Sequence, residues 1–524
     1  MGSFHTETDL SDSDETRPLV PREKRGENSN MSGGSMSSAA SSDLDDTGVV
    51  DKYCSHMPDE YRRTVSRALR FIDKNPPTLI SSGSSGSYFI HDSDNKIIGV
   101  FKPEDEEPYG INNPKWGKWF QKVLLPCSFG RGCLVPNQGY VSEAAAWIVD
   151  EFFGLHIVPP TAVILMASKV FSYSRFQRYE ARTKQRVAGQ FPNLHNRFNW
   201  SQTYKKKKGS FQTFVHDFMS PEEFARLYPV DSLSEIERNY LTAEIQKMFV
   251  LDYIIRNTDR LNANFLMKVI EPEIEVGEMA PDQELDSMNI SVNMPTTEAA
   301  QSLGSHDTDA TATTIIENMD GISESEAQTV HAAAEIGPLR RADRRFEIAC
   351  IDNGLAFPFQ HPSGIRSYPF SWSKYFPYFA NQPFLPEIKQ RFLNILQDIN
   401  AIKELCETIR AQLSADKRYQ KQKTIESQLS VVRGQMYNLL KALEGNLTPA
   451  HLEMQTPVYA KELKKKQKRR AARNRRLNSD EVCIPIDSDD ESENQNVPRS
   501  AAVDLWRSNY AIKKHTRNPY FSCC

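Results

Sequence analysis

A long acidic segment, residues 271–344, interrupts the part of this chain that has the character of a folded protein. The segment is rich in Ser, Thr, Met and Ala and nearly free of aromatic residues, so it cannot bury enough apolar surface to fold. On either side, over roughly 55–270 and 345–450, apolar residues recur at the spacing of helices and strands. Because the motifs described below fall on both sides, we expect one domain with a disordered insertion.

The two ends of the chain are also polar. Hydrophobic residues make up 39% of the 524 residues and the mean hydropathy is −0.56, a low apolar content for a wholly globular chain. The sequence predicts a disordered, acidic and Ser-rich tail over 1–55 and a second tail over 451–524. The second tail carries a basic run at 461–476 and ends in Cys523-Cys524.

Charge, cysteine content and apolar patterning exclude several classes of protein. The formal net charge of −4 argues against a protein that coats nucleic acid. Eight cysteines without a Cys-x-x-Cys pair are too sparse for a disulfide scaffold, so we expect reduced, intracellular thiols. We expect no transmembrane helix, because no uncharged run of about 18 apolar residues occurs. We expect no secretory signal, because no basic segment followed by an apolar core opens the chain.

Hydrophobic periodicity predicts a mixture of helices and strands within the folded part. The expected helices cover residues 58–72, 140–153, 236–255, 392–413 and 428–443. The expected strands lie within 80–102, with a turn at 91–95, and at 157–166, 211–218 and 346–357. This mixture predicts the α+β class.

A Ser/Gly-rich turn, Ser81–Ser87, lies between strand-like residues. Small residues let backbone N–H groups approach a polyanion closely, and serine hydroxyls add hydrogen-bond donors. Lys102 follows between apolar neighbours on a predicted strand, which suits an ammonium directed at nucleotide phosphates. Taken singly, the turn and the lysine also fit an ordinary surface turn and a solvated side chain.

Two further segments carry carboxylates at informative positions. An apolar helix runs into a polar loop with Asp259 and Asn264 five residues apart. Protein kinases use an Asp at this spacing to handle the acceptor hydroxyl and an Asn to bind a metal. An apolar strand then ends at Asp352-Asn353-Gly354, in the place of the kinase Asp-Phe-Gly, whose Asp holds magnesium. The order of these segments predicts phosphoryl transfer with ATP and Mg²⁺.

Six strings of residues in the folded part extend this pattern. They are Gly83-Ser-Ser-Gly-Ser-Tyr-Phe, Val100-Phe-Lys-Pro, Glu107-Pro-Tyr-Gly, Asn137-Gln-Gly-Tyr, Asp252-Tyr-Ile-Ile-Arg-Asn-Thr-Asp-Arg and Ile351-Asp-Asn-Gly-Leu-Ala-Phe-Pro. With them the sequence resembles type II phosphatidylinositol 4-kinases. The resemblance implies a two-lobed, protein-kinase-like (PI3/PI4-kinase) catalytic domain over 56–450, with an N-lobe at 75–217 and a C-lobe at 218–450. It also implies a lipid kinase that transfers the γ-phosphate of ATP to the 4-hydroxyl of phosphatidylinositol, which gives phosphatidylinositol 4-phosphate.

The resemblance implies roles for individual residues as well. Lys102 would bind the ATP phosphates, Asp259 would be the catalytic Asp, and Asp352 with Asn264 would hold the metal. The residues that would cover the phosphates are Ser81, Ser82, Gly83, Ser84, Ser85, Gly86 and Ser87. The residues that would form the hinge at the adenine are Gln212, Thr213, Phe214 and Val215. The residues that would lie near the lipid headgroup are Glu107, Pro108 and Tyr109. Glu143 would pair with Lys102, although a solvated glutamate fits that position as well.

A lipid substrate requires that the protein dock on a bilayer. The family carries a palmitoylated Cys-Cys-Pro-Cys-Cys cluster, and the matching stretch here is Leu124-Leu-Pro-Cys127-Ser128. The candidates for lipidation are Cys127, Cys133, Cys523 and Cys524. One acyl chain usually needs a second signal, for which anionic lipid at a basic or aromatic surface would serve. The candidate surfaces are the aromatic stretches 116–125 and 368–376 and the basic runs 205–208 and 461–476, with a packed core or a solvated or nuclear-targeting tail as the alternative.

Location and competing functions complete the predictions. Glu15-Thr-Arg-Pro-Leu19-Val20 resembles an acidic dileucine signal that is read by an endosomal sorting adaptor. The implied location is the cytoplasmic face of Golgi, trans-Golgi and endosomal membranes, with the protein peripheral and lipid-anchored. A pseudokinase scaffold is disfavoured because Lys102, Asp259 and Asp352 are all present. A protein kinase is disfavoured because the His-Arg-Asp, Asp-Phe-Gly and Ala-Pro-Glu signals are missing.

Overall fold

The structure is a computed structural model that describes seven stretches of the chain, residues 44–115, 132–190, 204–272, 343–362, 372–415, 422–463 and 500–516. The helices are α1 Leu44–Tyr53, α2 Asp59–Phe71, α3 Gly139–Phe153, α4 Arg175–Gln190, α5 Pro221–Leu227, α6 Glu235–Ile254, α7 Trp372–Tyr375, α8 Pro377–Ala380, α9 Pro386–Leu396, α10 Ile399–Ser414, α11 Gln422–Glu444, α12 Pro449–Met454 and α13 Ala501–Asn509. The strands are β1 Thr78–Leu79, β2 Tyr88–His91, β3 Ile97–Pro103, β4 Thr161–Met166, β5 Lys207–Thr213, β6 Phe265–Ile270, β7 Arg345–Cys350, β8 Val458–Glu462 and β9 Tyr510–Lys514. The predicted α+β class is confirmed.

A five-stranded antiparallel sheet forms the N-terminal part of the fold, in the order β1-β2-β3-β5-β4. Strand β5 lies between β3 and β4 and pairs with β3 so that Lys102 is opposite Ser210. Successive side chains of a strand point to opposite faces. The fully buried Phe101 therefore anchors β3 on one face, and Lys102 emerges on the other.

Helix α3 packs beside this sheet and is almost entirely buried. Its alanine-rich middle favours helix, and the helix ends at Gly154, whose φ of +61° is the left-handed conformation of a glycine C-cap. The helix contacts β4 and β5 on the sheet side and α10 and the Asn353–Leu355 turn on the other side. Through these contacts α3 connects the sheet to the helical part of the fold.

Helix α6 is the central helix of the second part and packs against α11. It begins with a capping box, in which the Ser234 side chain accepts from the Glu237 N–H and the Glu237 carboxylate accepts from the Ser234 N–H. The polar loop predicted after this helix leads directly into β6. Strand β6 pairs antiparallel with β7, from Phe265 opposite Cys350 to Ile270 opposite Arg345. The sequences on the two sides of residues 273–342 therefore meet in one ladder.

The chain beyond residue 451 differs from the predicted tail. Strands β8 and β9 pair with each other, and α13 places Trp506 fully buried, with its indole N–H 2.8 Å from the Leu396 carbonyl oxygen. Tyr510 is 1% exposed. These elements are only five to nine residues long and are surrounded by polar sequence, so their apolar pattern is too short to detect.

Two smaller predictions also change. Helix α1, with Val49 and Val50 buried, lies within the predicted N-terminal tail. The single helix predicted over 392–413 is two helices, because Asp398 interrupts it and accepts from the N–H groups of the residues that begin α10. None of the helices within the described stretches has the length and hydropathy needed to cross a bilayer.

Candidate active site

Three charged side chains from three elements meet at one point. The Lys102 ammonium on β3 lies 2.5 Å from a carboxylate oxygen of Glu143 on α3 and 3.0 Å from Oδ1 of Asp352, which follows β7. Burial opposes the charge of Lys102, but the attraction of Asp352 and Glu143 outweighs it and raises the pKa of the ammonium. The same ammonium holds the pKa of Asp352 below its usual range. The pairing of Lys102 with Glu143 is confirmed.

Asp352 adopts a left-handed backbone conformation, with φ of +52°, that residues other than glycine rarely adopt. Its neighbours hold it there, because the Asn353 amide donates to the Cys350 carbonyl oxygen at 3.1 Å and the Ile351 N–H donates to Asn264 at 3.0 Å. Strain of this kind persists only where surrounding contacts impose it, and it is common where a functional side chain must be held in place. The exposed Asp352 carboxylate is thereby held beside Lys102.

Arg260 organises the polar loop after α6, a role that was not predicted from its position in the sequence. Its guanidinium is fully buried and forms an ion pair with Asp252 at 2.9 Å. It also donates to the carbonyl oxygens of Asn264 and Ile351 and to the side-chain oxygen of Asn353. Arg260 therefore ties the loop that carries Asp259 to the segment that carries Asp352. The sequence did contain a signal for this role. Asp252 is a charge within the apolar run of a predicted buried helix, and Arg260, of opposite charge, follows shortly after the end of that helix.

Asp259 is half-buried within a loop that is held at several points. Its N–H donates to the Asn257 side chain at 3.0 Å, and the Asn264 amide nitrogen donates to the Asp259 carbonyl oxygen. Thr258 is fixed to the Leu355 carbonyl oxygen through both its N–H and its hydroxyl. The loop backbone is therefore ordered by neighbouring residues, which positions the Asp259 carboxylate.

The residues present fit a magnesium ion shared with a nucleotide. The Asn264 amide nitrogen is used by the loop, which leaves its amide oxygen as a ligand, and Asp352 adds a carboxylate. Mg²⁺ prefers oxygen ligands and is usually held by one or two protein groups together with substrate phosphates. Within the described stretches, no group of three or more His, Cys, Asp or Glu side chains could hold a metal ion.

The Ser81–Ser87 turn connects β1 to β2 and is closed at its base by the Ile80 N–H, which lies 2.8 Å from the Ser87 carbonyl oxygen. Gly83 has φ of +77°, which glycine adopts without strain. Gly86 lies so close to Glu106 that a Cβ atom would come within 2.5 Å of its carboxylate. Glycines at these two positions therefore shape the turn.

The predicted hinge residues lie where the sheet leads into the helical part. Gln212 is buried in β5 and its amide donates to the Thr161 hydroxyl at 3.0 Å, so its side chain supports the sheet. Strand β5 ends at Thr213, and the Phe214 N–H donates to the Ile98 carbonyl oxygen at 3.1 Å. The segment after β5 leads to α5. This position between the sheet and the helices fits a hinge whose backbone groups would contact the adenine base.

The prediction that the Glu107 carboxylate contacts the lipid headgroup is corrected by the structure. Glu107 is 7% exposed, and its carboxylate accepts from the N–H groups of Gly139 at 3.2 Å and Tyr140 at 2.6 Å. It therefore caps the N-terminus of α3, where anions are favourable. Burial raises the pKa of Glu107 to about 7, although the two backbone hydrogen bonds oppose the shift. Tyr109 and Pro108 are half-buried, and the Tyr109 N–H donates to the Asn137 side chain at 3.1 Å.

Several predicted membrane contacts also change. Cys133 is 5% exposed, so its thiol is a poor acceptor for an acyl chain without local opening. Trp372 is 4% exposed and stacks on Phe249, which makes it part of the core. Lys207 is buried in an ion pair with Glu106 at 2.8 Å. The remaining lipidation candidates Cys127, Cys523 and Cys524, most of the run 461–476 and the signal at 15–20 lie outside the described residues.

Comparisons with known proteins agree with this geometry. The family model described as "Phosphatidylinositol 3- and 4-kinase" matches residues 83–422. A "Phosphatidylinositol 4-kinase type 2-beta" of Danio rerio is 37% identical over 420 residues, which cover 80% of this chain and 72% of the relative. The protein of the same name from Mus musculus is 36% identical, with 80% and 78% covered. A "Phosphatidylinositol 4-kinase type 2-alpha" of Danio rerio is 37% identical, with 76% of each chain covered.

Proposed function

The chain belongs to the phosphatidylinositol 3- and 4-kinase family, and we propose that it is a lipid kinase that makes phosphatidylinositol 4-phosphate. The reaction is transfer of the γ-phosphate of ATP to the 4-hydroxyl of phosphatidylinositol. The observation that carries this proposal is the contact of Lys102 with both Glu143 and Asp352 beside a loop that presents Asp259. It assembles in space the groups that phosphoryl transfer needs.

Each group has a role that follows from its chemistry. Lys102 neutralises phosphate charge from β3. Backbone N–H groups of the Ser81–Ser87 turn bind the phosphate oxygens, except that of Gly86, which donates to the Glu106 carbonyl oxygen at 2.8 Å. Asp259 orients the inositol hydroxyl and accepts its proton as the new P–O bond forms. Asp352 and Asn264 would hold Mg²⁺, which when bound neutralises charge on the transferred phosphate. Positioning and charge neutralisation supply most of the rate acceleration in this class of reaction.

The test is transfer of radiolabel from ATP to phosphatidylinositol in detergent micelles. The wild type is compared with Asp259→Ala and with Asp231→Ala, an exposed aspartate in the turn before α6. We expect label at the 4-position for the wild type and the control, and a loss of several orders of magnitude for Asp259→Ala. No transfer by a folded, ATP-binding wild type would indicate a scaffold, and transfer to added proteins would indicate a protein kinase.

The enzyme must also reach its substrate, and we infer that it binds the surface of anionic membranes. Helix α4 supports this inference, because its exposed aromatic residues Phe176 and Tyr179 are 75% and 68% exposed. With about 100° of turn per residue, the exposed Arg175, Arg182 and Arg186 lie on the same side of the helix. Each cation near an anionic leaflet contributes about 1 kcal/mol, and aromatic rings are favourable at the interface.

Vesicle sedimentation tests this surface. Phe176→Ser combined with Tyr179→Ser is expected to weaken binding to vesicles that contain phosphatidylserine, while Met454→Ser, a 72% exposed residue elsewhere, leaves binding unchanged. Equal binding of all three proteins would rule out α4 as a contact. Attachment to Golgi and endosomal membranes, acylation at Cys127, Cys523 or Cys524 and recognition of Glu15–Val20 by a sorting adaptor are further parts of this proposal, which deletion of each segment would test.

A further inference from the structure

The ammonium of Lys115 lies against the nucleotide-covering turn. Its Nζ atom donates to the carbonyl oxygens of Ile80 at 3.0 Å, Ser82 at 2.5 Å and Gly83 at 3.1 Å. An ammonium group has three N–H donors, and here three main-chain acceptors of one turn match them. Hydrogen bonds to a charged donor are roughly twice as strong as neutral ones. The arrangement fixes the positions of three carbonyl groups within four residues.

Asn113 adds a second attachment from the same segment. It is 7% exposed, and its amide nitrogen donates to the Ser84 carbonyl oxygen at 3.0 Å. Its amide oxygen accepts from the N–H of Lys115 at 2.7 Å, which orients the backbone of that lysine. Two side chains of residues 113–115 therefore hold four carbonyl oxygens at or beside the turn.

The geometry of the peptide bond gives these contacts a consequence for the other face of the turn. In a planar trans peptide, the N–H of one residue points opposite to the carbonyl of the residue before it. The carbonyls held by Lys115 therefore direct the N–H groups of Ser81, Gly83 and Ser84 away from the ammonium. Successive N–H groups that point to one side form the backbone nests that bind phosphate.

We propose that Lys115 is a positioning residue for nucleotide binding. It binds the carbonyl side of the Ser81–Ser87 turn so that the N–H side faces the phosphates of ATP, whereas Lys102 contacts the phosphates directly. The proposal rests on the use of ATP in the proposed function. It assigns the positive charge at residue 115 to the protein's own backbone and not to a phosphate or a lipid headgroup.

The first experiment measures nucleotide affinity of the full chain by calorimetry. In Lys115→Met, affinity for Mg-ATP is expected to fall about tenfold, which corresponds to ~1.4 kcal/mol, while affinity for adenosine stays unchanged. The matched control is Lys96→Met, an exposed lysine in the turn between β2 and β3 of the same sheet. In the kinase assay, the KM for ATP rises and the KM for phosphatidylinositol does not. Unchanged ATP affinity in Lys115→Met would overturn the proposal.

Amide hydrogen exchange provides a readout that does not depend on activity. Without nucleotide, the amides of residues 81–87 are expected to exchange faster in Lys115→Met than in the wild type, and equal rates would refute the positioning role. Asn113→Ala should shift both measurements in the same direction but less, which keeps the proposal testable if Lys115→Met does not fold.

An arginine at the same position separates geometry from charge. A guanidinium is a planar fork and cannot place three donors around one point as an ammonium does. Lys115→Arg is therefore expected to remain weak for ATP, and full recovery would mean that charge alone matters and would overturn the proposal. If the wild type itself bound no ATP, the proposed function would fail together with this inference. If the wild type and Lys115→Met bound ATP equally well, this inference alone would fail.

Discussion

Replacement of Arg260 by methionine tests the link between the two halves of the active site. The Asp252 side chain is 4% exposed, so loss of its partner would leave a buried carboxylate unpaired. Breaking a buried pair in this way costs about 3–5 kcal/mol. That is a large fraction of the ~5–15 kcal/mol by which a domain is stable. Arg260→Met alone is therefore expected to be strongly destabilised, as measured by urea denaturation.

The double variant Arg260→Met with Asp252→Asn separates stability from activity. It removes both charges, and replacing a buried ion pair by neutral groups is often nearly neutral for stability. We expect most of the lost stability to return. Turnover in the radiolabel assay should stay low, because the hydrogen bonds from Arg260 to Asn264, Ile351 and Asn353 are still missing. Recovery of both stability and turnover would refute the reasoning, since Arg260 would then serve only to balance Asp252.

Three further predictions concern single side chains. Glu107→Gln should remove a pH dependence of stability. The pKa of Glu107 is raised to about 7 from its usual 4.5, so the stability that its protonated form contributes is present below pH 4.5 and falls by about 3 kcal/mol as the pH rises to 7. The same pH dependence of the free energy of unfolding in the wild type and Glu107→Gln would contradict this prediction. Trp506→Ala should cost about 3–5 kcal/mol of stability in the same assay, whereas Leu505→Ala, at a 38% exposed neighbour, should cost little; equal effects would mean that α13 is not docked. Glu143→Gln should lower turnover by roughly 10²–10³, because the partner that orients Lys102 loses its negative charge, and an unchanged kcat would exclude that role.

Local sequence patterns predicted the parts of this protein whose contacts are near in sequence or whose chemistry is distinctive. Helices α3 and α6 follow from periodicity, since their buried faces repeat over four or more turns. Lys102 and Asp352, which are 250 residues apart, could be brought together only because each lies in a motif with a known chemical use. Glu107 was misassigned because its partners, the N–H groups that open α3, lie more than 30 residues away and leave no local pattern. Trp506 was missed because one buried side chain in a short polar helix carries little periodic signal.

The pairing of Ile270 with Arg345 has a consequence for how this gene product can vary in length. Paired residues on adjacent antiparallel strands have Cα atoms about 5 Å apart, a gap that a turn of two to five residues can close. Each doubling of the length of a flexible connection costs only about 0.6 kcal/mol in closure entropy. The connection between Ile270 and Arg345 can therefore differ in length at little energetic cost to the ladder that holds Asp352. The ends of β6 and β7 are therefore a suitable position for added sequence, because the paired strands separate it from Asp352.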